Sequence, residues 1–199
     1  LNDRINEFKP DLIGVSCLFT MTQPLFFQVC REIKNFVPDW LGEQSEIPLA
    51  VGGVHITQSY NKILNDLPEI DFVFLHESEI AFLNFLEVIN KKLPTNNLSQ
   101  MVLNSPEKEI VFPDLQYKPE EKDIDLWPAY QLMEIPEYSK YGRMGSFSRI
   151  LDFPVTSATV LSNRGCRAMC TFCSVRNFNG MGVRRRSVNE VVNEINFLH

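Results

Sequence analysis

No stretch of this 199-residue chain stays apolar for anything near the roughly 18 residues that crossing a bilayer takes, so neither a membrane span nor a membrane partner is expected. The opening residues, LNDRINEFKP, are polar and mixed in charge, unlike a secretory leader. Cysteine is scarce. Five cysteines, an odd number with no leader, argue against a disulfide framework and for a reducing compartment, with metal or core roles for the thiols. A cytoplasmic location is expected. Lys and Arg together number 19 against 25 Asp and Glu, a net charge of −6, which argues against broad nucleic-acid binding. Repeats and low-complexity tracts are absent as well. So is a helix stop at the end: Val188, Val191, Val192, Ile195 and Leu198 keep helical spacing up to His199. The start lacks Met, and Ile5 and Phe8 are already spaced as on an amphipathic helix, so both ends read as cuts in a longer parent protein.

What is present is an alternation of short apolar runs with amphipathic stretches. Asp11 to Phe19, Pro48 to Val51 and Asp71 to Leu75 read as buried strands. Leu25, Phe26, Val29, Cys30, Ile33, Phe36 and Val37 recur at helical spacing between the first two strands, as do Ile63, Leu64 and Leu67 between the second and third. Ser78 opens a further helix with an acidic start and a lysine-rich end, which suits the helix dipole. Strand and helix in turn imply an α/β domain whose parallel sheet is covered on both faces. Residues 94 to 155 break that rhythm with prolines at 94, 106, 113, 119, 128, 136 and 154. A hairpin is expected from Met101–Leu103 and Glu109–Phe112, and aromatic anchors at Trp127, Tyr130, Tyr138 and Tyr141. Thr156 to Leu161 reads as a strand, and Ser187 with Glu190 forms the S-x-x-E capping box of a last helix. Three segments follow: 1–92, a proline-rich connector over 93–155, and 156–199 as the start of a second α/β domain.

Cys166, Cys170 and Cys173 are spaced C-x3-C-x2-C in GCRAMCTFC. Three soft thiolates within eight residues of one loop suit an iron–sulfur cluster. A ferredoxin cluster would take a fourth cysteine, and the others, Cys17 and Cys30, fall in a strand and on the apolar face of a helix, where they read as small core hydrophobes. Three ligands leave one iron open to a chelating substrate. Structural zinc is the alternative, but it wants four Cys or His ligands, and only His199 lies downstream. Arg184, Arg185 and Arg186 read either as a solvated loop beside the capping box or as cations set against an anionic group.

From Thr156 onward the chain resembles the start of a radical S-adenosylmethionine domain, a full or partial (β/α) barrel of which one βα unit is present. The resemblance rests on the strand, the C-x3-C-x-aromatic-C loop, the R-x-R-S that follows, and Glu194-Ile195. It implies a [4Fe-4S] cluster on Cys166, Cys170 and Cys173, S-adenosylmethionine on the open iron, and Phe172 beside the adenine. Simple loop packing is the other reading of that ring. The family's later S-adenosylmethionine-binding motifs are not in this chain.

Two weaker motifs lie upstream. Ser16-Cys17-Leu18, an S-x-L triplet, ends the first strand, and Gly52-Gly53 ends the second, which puts both on the carboxyl edge where open α/β sheets bind ligands. There a serine hydroxyl can bond a ligand's edge, and glycines let a planar group approach the backbone, although a Gly-Gly pair also serves a plain turn. In this order, with V-G-G-V-H and the later H-E-S-E at 76 to 79, residues 1–92 resemble the cobalamin-binding domain of cobalamin-dependent radical S-adenosylmethionine enzymes, a flavodoxin-like (Rossmann-like) fold. The resemblance implies that Ser16, Leu18, Gly52 and Gly53 line a pocket for the cobalamin tail. The family's D-x-H-x-x-G motif would precede Leu1 and is not in this chain. His55 near that edge is expected to be an incidental surface histidine.

The function implied is radical-initiated chemistry at an unactivated carbon, most often methylation, on an unknown substrate, with a reductant such as flavodoxin or ferredoxin. The 199 residues by themselves are not expected to complete a turnover. One rival is a methylthiotransferase-like enzyme, which would carry three further cysteines upstream where this chain has two. Another is a non-catalytic cobalamin-binding or electron-transfer module.

Overall fold

A computed structural model describes residues 1–42, 46–105, 110–112, 119–137 and 158–199. A short helix, α1 (Asn2–Phe8), buries Ile5 and leads into β1 (Ile13–Ser16). Then come α2 (Gln23–Asn35), β2 (Leu49–Gly52), α3 (Val54–Asp66), β3 (Phe72–Phe74) and α4 (Glu79–Ile89). β1, β2 and β3 pair in parallel, with Ser16 opposite Gly52 and Val51 opposite Val73. The expected hairpin is present as β4 (Met101–Leu103) and β5 (Ile110–Phe112), and it adds two antiparallel strands to the same sheet, giving the order β1-β2-β3-β4-β5.

Side chains alternate across a strand, and both faces of the central strands meet apolar partners. Leu49 and Val51 of β2, Val73 of β3 and Val102 of β4 pack with Phe26, Cys30 and Ile33 of α2 and with Ile56, Ile63 and Leu64 of α3. Ala50, Phe74 and Met101 face the other way, onto Ala81 and Phe85 of α4. Phe74 meets Phe82 and Phe85 edge-on at 5.2 and 5.5 Å, a favoured geometry for aromatic pairs. The exception is β1, at the end of the sheet, whose Gly14 and Ser16 are exposed. Among the described residues no helix is long and apolar enough to cross a membrane.

The chain divides into two compact units, Leu1–Lys118 with Ala168–Met181, and Pro119–Arg167 with Gly182–His199. The second holds α5 (Glu121–Ile124), β6 (Asn163–Cys166), β7 (Gly182–Arg185) and α7 (Val188–Leu198), while α6 (Val175–Asn179) belongs to the first. The strand expected over 156–161 is not where the sequence put it. Residues 156 and 157 lie outside the described residues, 158–161 form no strand, and β6 begins at Asn163. β6 pairs antiparallel with β7, and Gly165 is what allows it: at φ +85° a Cβ there would stand 2.3 Å from the Gly182 carbonyl oxygen. Tyr138 and Tyr141 also lie outside the described residues. Trp127 and Tyr130 do act as anchors, with ring centroids 5.5 and 6.2 Å from that of Phe197 on α7.

Candidate functional site

Because β1, β2 and β3 run parallel, the loops that follow them leave from one edge of the sheet. Ser16 ends β1 with its side chain in solvent, and Leu18 follows it, 52% exposed. The Cys17 amide donates to the Gly52 carbonyl at 2.9 Å, and the His55 amide donates to the Cys17 carbonyl at 3.1 Å, so the S-x-L and Gly-Gly segments are laced together through their backbones. Gly53 has φ +109°, and a Cβ there would sit 2.6 Å from the Cys17 carbonyl oxygen. The glycine is thus demanded by the chain's own close approach, before any ligand is considered. Gly53→Ala should lose about 2 kcal/mol or more, since a strained backbone and an overlap add. Gly14→Ala, with nothing within 4 Å of the added carbon, should be near neutral; denaturant titration of the two variants measures the difference.

Past Ser16 the first loop turns outward apolar side chains. Leu18, Phe19, Met21 and Leu25 are all more than half exposed. An apolar rim beside a serine hydroxyl and exposed backbone suits a large, flat, partly apolar ligand. At the third strand's exit His76 adopts φ +58°, and its Nδ1 lies 2.9 Å from the Asn177 carbonyl. Glu77 is buried there and accepts from Asn179 Nδ2. These residues, with Gln100 and Phe178, line a cavity of about 200 Å³ within the first unit.

His55 is not the incidental surface residue expected from the sequence. Its ring is buried, with Nδ1 3.2 Å from Thr20 Oγ1 and Nε2 2.7 Å from Gln23 Oε1. The spacing V-G-G-V-H-I-T held the signal, since a histidine in the first turn after a Gly-Gly corner lies beside the neighbouring loop.

Of the cluster cysteines, Cys166 ends β6 in the second unit, while Cys170 and Cys173 lie in the segment counted with the first. The Cys173 amide donates to the Cys170 carbonyl at 3.2 Å, a turn that brings those two residues to one side of their loop. None of the three is in a disulfide, and Cys170 is exposed while the others are half-buried. Among the described residues no three His, Cys, Asp or Glu side chains stand gathered as a metal site. The assignment of the cluster ligands therefore rests on their spacing and soft donor chemistry. Phe172 is 90% exposed, so the loop-packing reading of that ring is not realised. Cys17 and Cys30 are core residues, as expected, and burial, then Cys17 and Glu69 nearby, pushes the Cys30 thiol up to about 12. A thiol so reluctant to ionise makes a poor metal ligand.

The arginine run is not a solvated loop. Arg184 in β7 and Arg186 just past its end are both buried, whereas Arg185 is exposed. Arg184 Nη1 donates to the Pro119 carbonyl at 2.6 Å. Arg186 Nη1 donates to the Leu161 carbonyl at 3.0 Å and to Glu194 Oε2, and Tyr130 donates its hydroxyl proton to the other oxygen of the same carboxylate. Burial, then the bond to Glu194 and its charge, push the Tyr130 phenol up to about 12. The capping box is half present. Ser187 Oγ accepts from the Glu190 amide at 3.2 Å, but the Ser187 amide donates to Asp125 Oδ1 instead, and Glu190 accepts from Trp127 Nε1.

A mixed α/β sheet whose first three strands run parallel, with helices packed on it, defines a domain of the flavodoxin-like class, in which ligands bind at the carboxyl edge. Residues 1–86 match the family model of the B12 binding domain. The chain is 26% identical over 208 residues to cytidylyl-2-hydroxyethylphosphonate methyltransferase of Streptomyces wedmorensis, covering 96% of this chain and 38% of that protein. It is similar in structure to the radical S-adenosylmethionine methyltransferase TsrM of Kitasatospora setae, seen with cobalamin and a [4Fe-4S] cluster, at TM-score 0.65 and 17% identity over 95% of this chain and 36% of that one. It is also similar to the cobalamin-dependent S-adenosylmethionine radical enzyme OxsB with aqua-cobalamin, at TM-score 0.66 and 20% identity over 98% of this chain and 24% of that one. Residues 1–86 thus resemble a B12-binding domain in sequence, and the chain shares its fold with cobalamin-dependent radical S-adenosylmethionine enzymes. It spans 38% of the length of the methyltransferase it matches.

Proposed function

We infer that the intact protein is a radical S-adenosylmethionine methyltransferase that uses cobalamin and acts on an unactivated carbon. The observation that carries this reading is one of order: a B12-binding domain over residues 1–86 is followed in the same chain by the C-x3-C-x2-C loop at 166 to 173. Cobalamin would lie on the carboxyl edge of the sheet, where Ser16 offers a hydroxyl, Gly52 and Gly53 let the strand exits close up on one another, and Leu18 with its apolar neighbours offers contact area. Cys166, Cys170 and Cys173 would hold the [4Fe-4S] cluster, and the exposed ring of Phe172 is free to stack on the adenine of S-adenosylmethionine. When bound, the cluster supplies an electron to the sulfonium of S-adenosylmethionine and cobalamin supplies the transferable methyl group. The electron would come from a small carrier such as flavodoxin or ferredoxin.

The methylthiotransferase alternative fares worse on burial as well as on number. A second cluster would need upstream thiolates, and the two cysteines before residue 166 are both sealed in the core. The test is anaerobic reduction of the reconstituted intact protein with dithionite in the presence of S-adenosylmethionine. Formation of 5′-deoxyadenosine or S-adenosylhomocysteine above a Cys170→Ala control is expected. Cobalamin uptake with no such product would leave a non-catalytic binding module.

A further inference from the structure

His55 and Thr57 stand two residues apart in the first turn of α3, and each reaches a different loop. The His55 ring lies between Thr20 Oγ1 and Gln23 Oε1, both in the segment after β1, and its amide holds the Cys17 carbonyl. Thr57 Oγ1 donates to the Gly53 carbonyl at 3.0 Å and accepts the His76 amide at 2.9 Å, just past the end of β3. Two side chains therefore connect the exits of all three parallel strands. One arrangement, Nε2–H donating to Gln23 Oε1 and Nδ1 accepting from Thr20 Oγ1, satisfies both ring nitrogens. A buried ring bonded at both nitrogens is committed to its neighbours.

The loop it holds would not keep this shape on its own. Leu18, Phe19 and Met21 are turned into solvent, where the hydrophobic effect favours their folding back onto the protein. His76 is held at φ +58°, a conformation unusual for a residue other than glycine, while its amide is fixed by Thr57. We propose that His55 and Thr57 are positioning residues: they preassemble the loops at 17–23, 52–54 and 75–78 into one floor for the corrin cofactor without touching it. This rests on the cobalamin reading above. Its physical benefit is that the ordering of the loops is settled before the ligand arrives.

The test compares Thr57→Val, which keeps the shape but loses the hydroxyl, with Thr57→Ser, which restores it, and His55→Leu with His55→Gln. In the intact protein, hydroxocobalamin binding followed by absorbance should weaken about tenfold in Thr57→Val and His55→Leu, and recover to within about threefold of the parent in Thr57→Ser. Iron content should not change. In cobalamin-free protein, hydrogen exchange should quicken in both 17–23 and 75–79 for either Thr57→Val or His55→Leu, since the loops are held as one. Unchanged affinity in both variants, or exchange that quickens only in the loop next to each substitution, would overturn the proposal. If the parent protein binds no cobalamin, it is the cofactor reading that fails, and the exchange measurement alone decides whether the loops are coupled.

Discussion

Replacing Cys166, Cys170 or Cys173 with Ala will take the iron bound by anaerobically reconstituted protein from about four per chain to near zero, with loss of the broad absorption near roughly 400 nm. Three ligands are the minimum for a site-differentiated cubane, so no single one is dispensable. Cys17→Ala and Cys30→Ala will retain their iron. Their effect will be on stability instead, about 1 kcal/mol each, because both thiols sit in the core between α2, α3 and the sheet. Equal loss of iron from Cys30→Ala would contradict the three-ligand assignment, and it would do so against a thiol that burial has pushed up to about 12.

Glu194→Ala will destabilise the second unit by about 3–5 kcal/mol. Glu194 is 1% exposed and neutralises a guanidinium that is itself buried, so its removal leaves Arg186 only the more distant Asp125 carboxylate, 3.7 Å from Nε, and leaves the Tyr130 hydroxyl without its acceptor. A domain's whole stability is only about 5–15 kcal/mol. Denaturant or thermal unfolding followed by tryptophan fluorescence reads the loss, since Trp127 lies against α7. The same network sets a pH dependence. Tyr130 binds its proton more tightly folded, near 12, than at its ordinary value of 10.0. That contribution is therefore complete below pH 10 and disappears as pH rises through about 12. Stability in the Glu194→Ala variant should lose less between those two pH values than in the parent.

The first unit was legible because its signals are periodic. Apolar residues at every position of L-A-V in β2 announced a strand buried on both faces, and the Phe26, Cys30, Ile33 spacing announced the helix against it. The carboxyl-edge motifs were legible for a related reason: a parallel sheet fixes where strand ends go, so S-x-L and Gly-Gly had to fall on one side. The second unit was harder to read. β6 is N-R-G-C, without one β-branched residue, while T-S-A-T-V-L just before it has the composition of a strand. The choice between them was made by the close approach of Gly165 to Gly182, a contact across 17 residues that no local pattern carries. Burial of Arg186 depends in the same way on Glu194, although a carboxylate between Val191 and Ile195 in the last helix was a usable sign of a buried cation. The V-G-G-V-H-I-T spacing puts His55 beside the neighbouring loop, but its burial is set by Thr20 and Gln23, which are remote in sequence.

We propose that the intact protein binds both a cobalamin and a [4Fe-4S] cluster. This is tested most directly by reconstituting the intact protein anaerobically with iron, sulfide and hydroxocobalamin, removing what is unbound, and measuring cobalamin and iron per chain on one sample. The account predicts about one cobalamin and four irons, with cobalamin unaffected by Cys173→Ala and iron unaffected by Gly53→Ala. Four irons with no cobalamin under any condition would contradict it, leaving residues 1–86 a B12-binding fold without its cofactor.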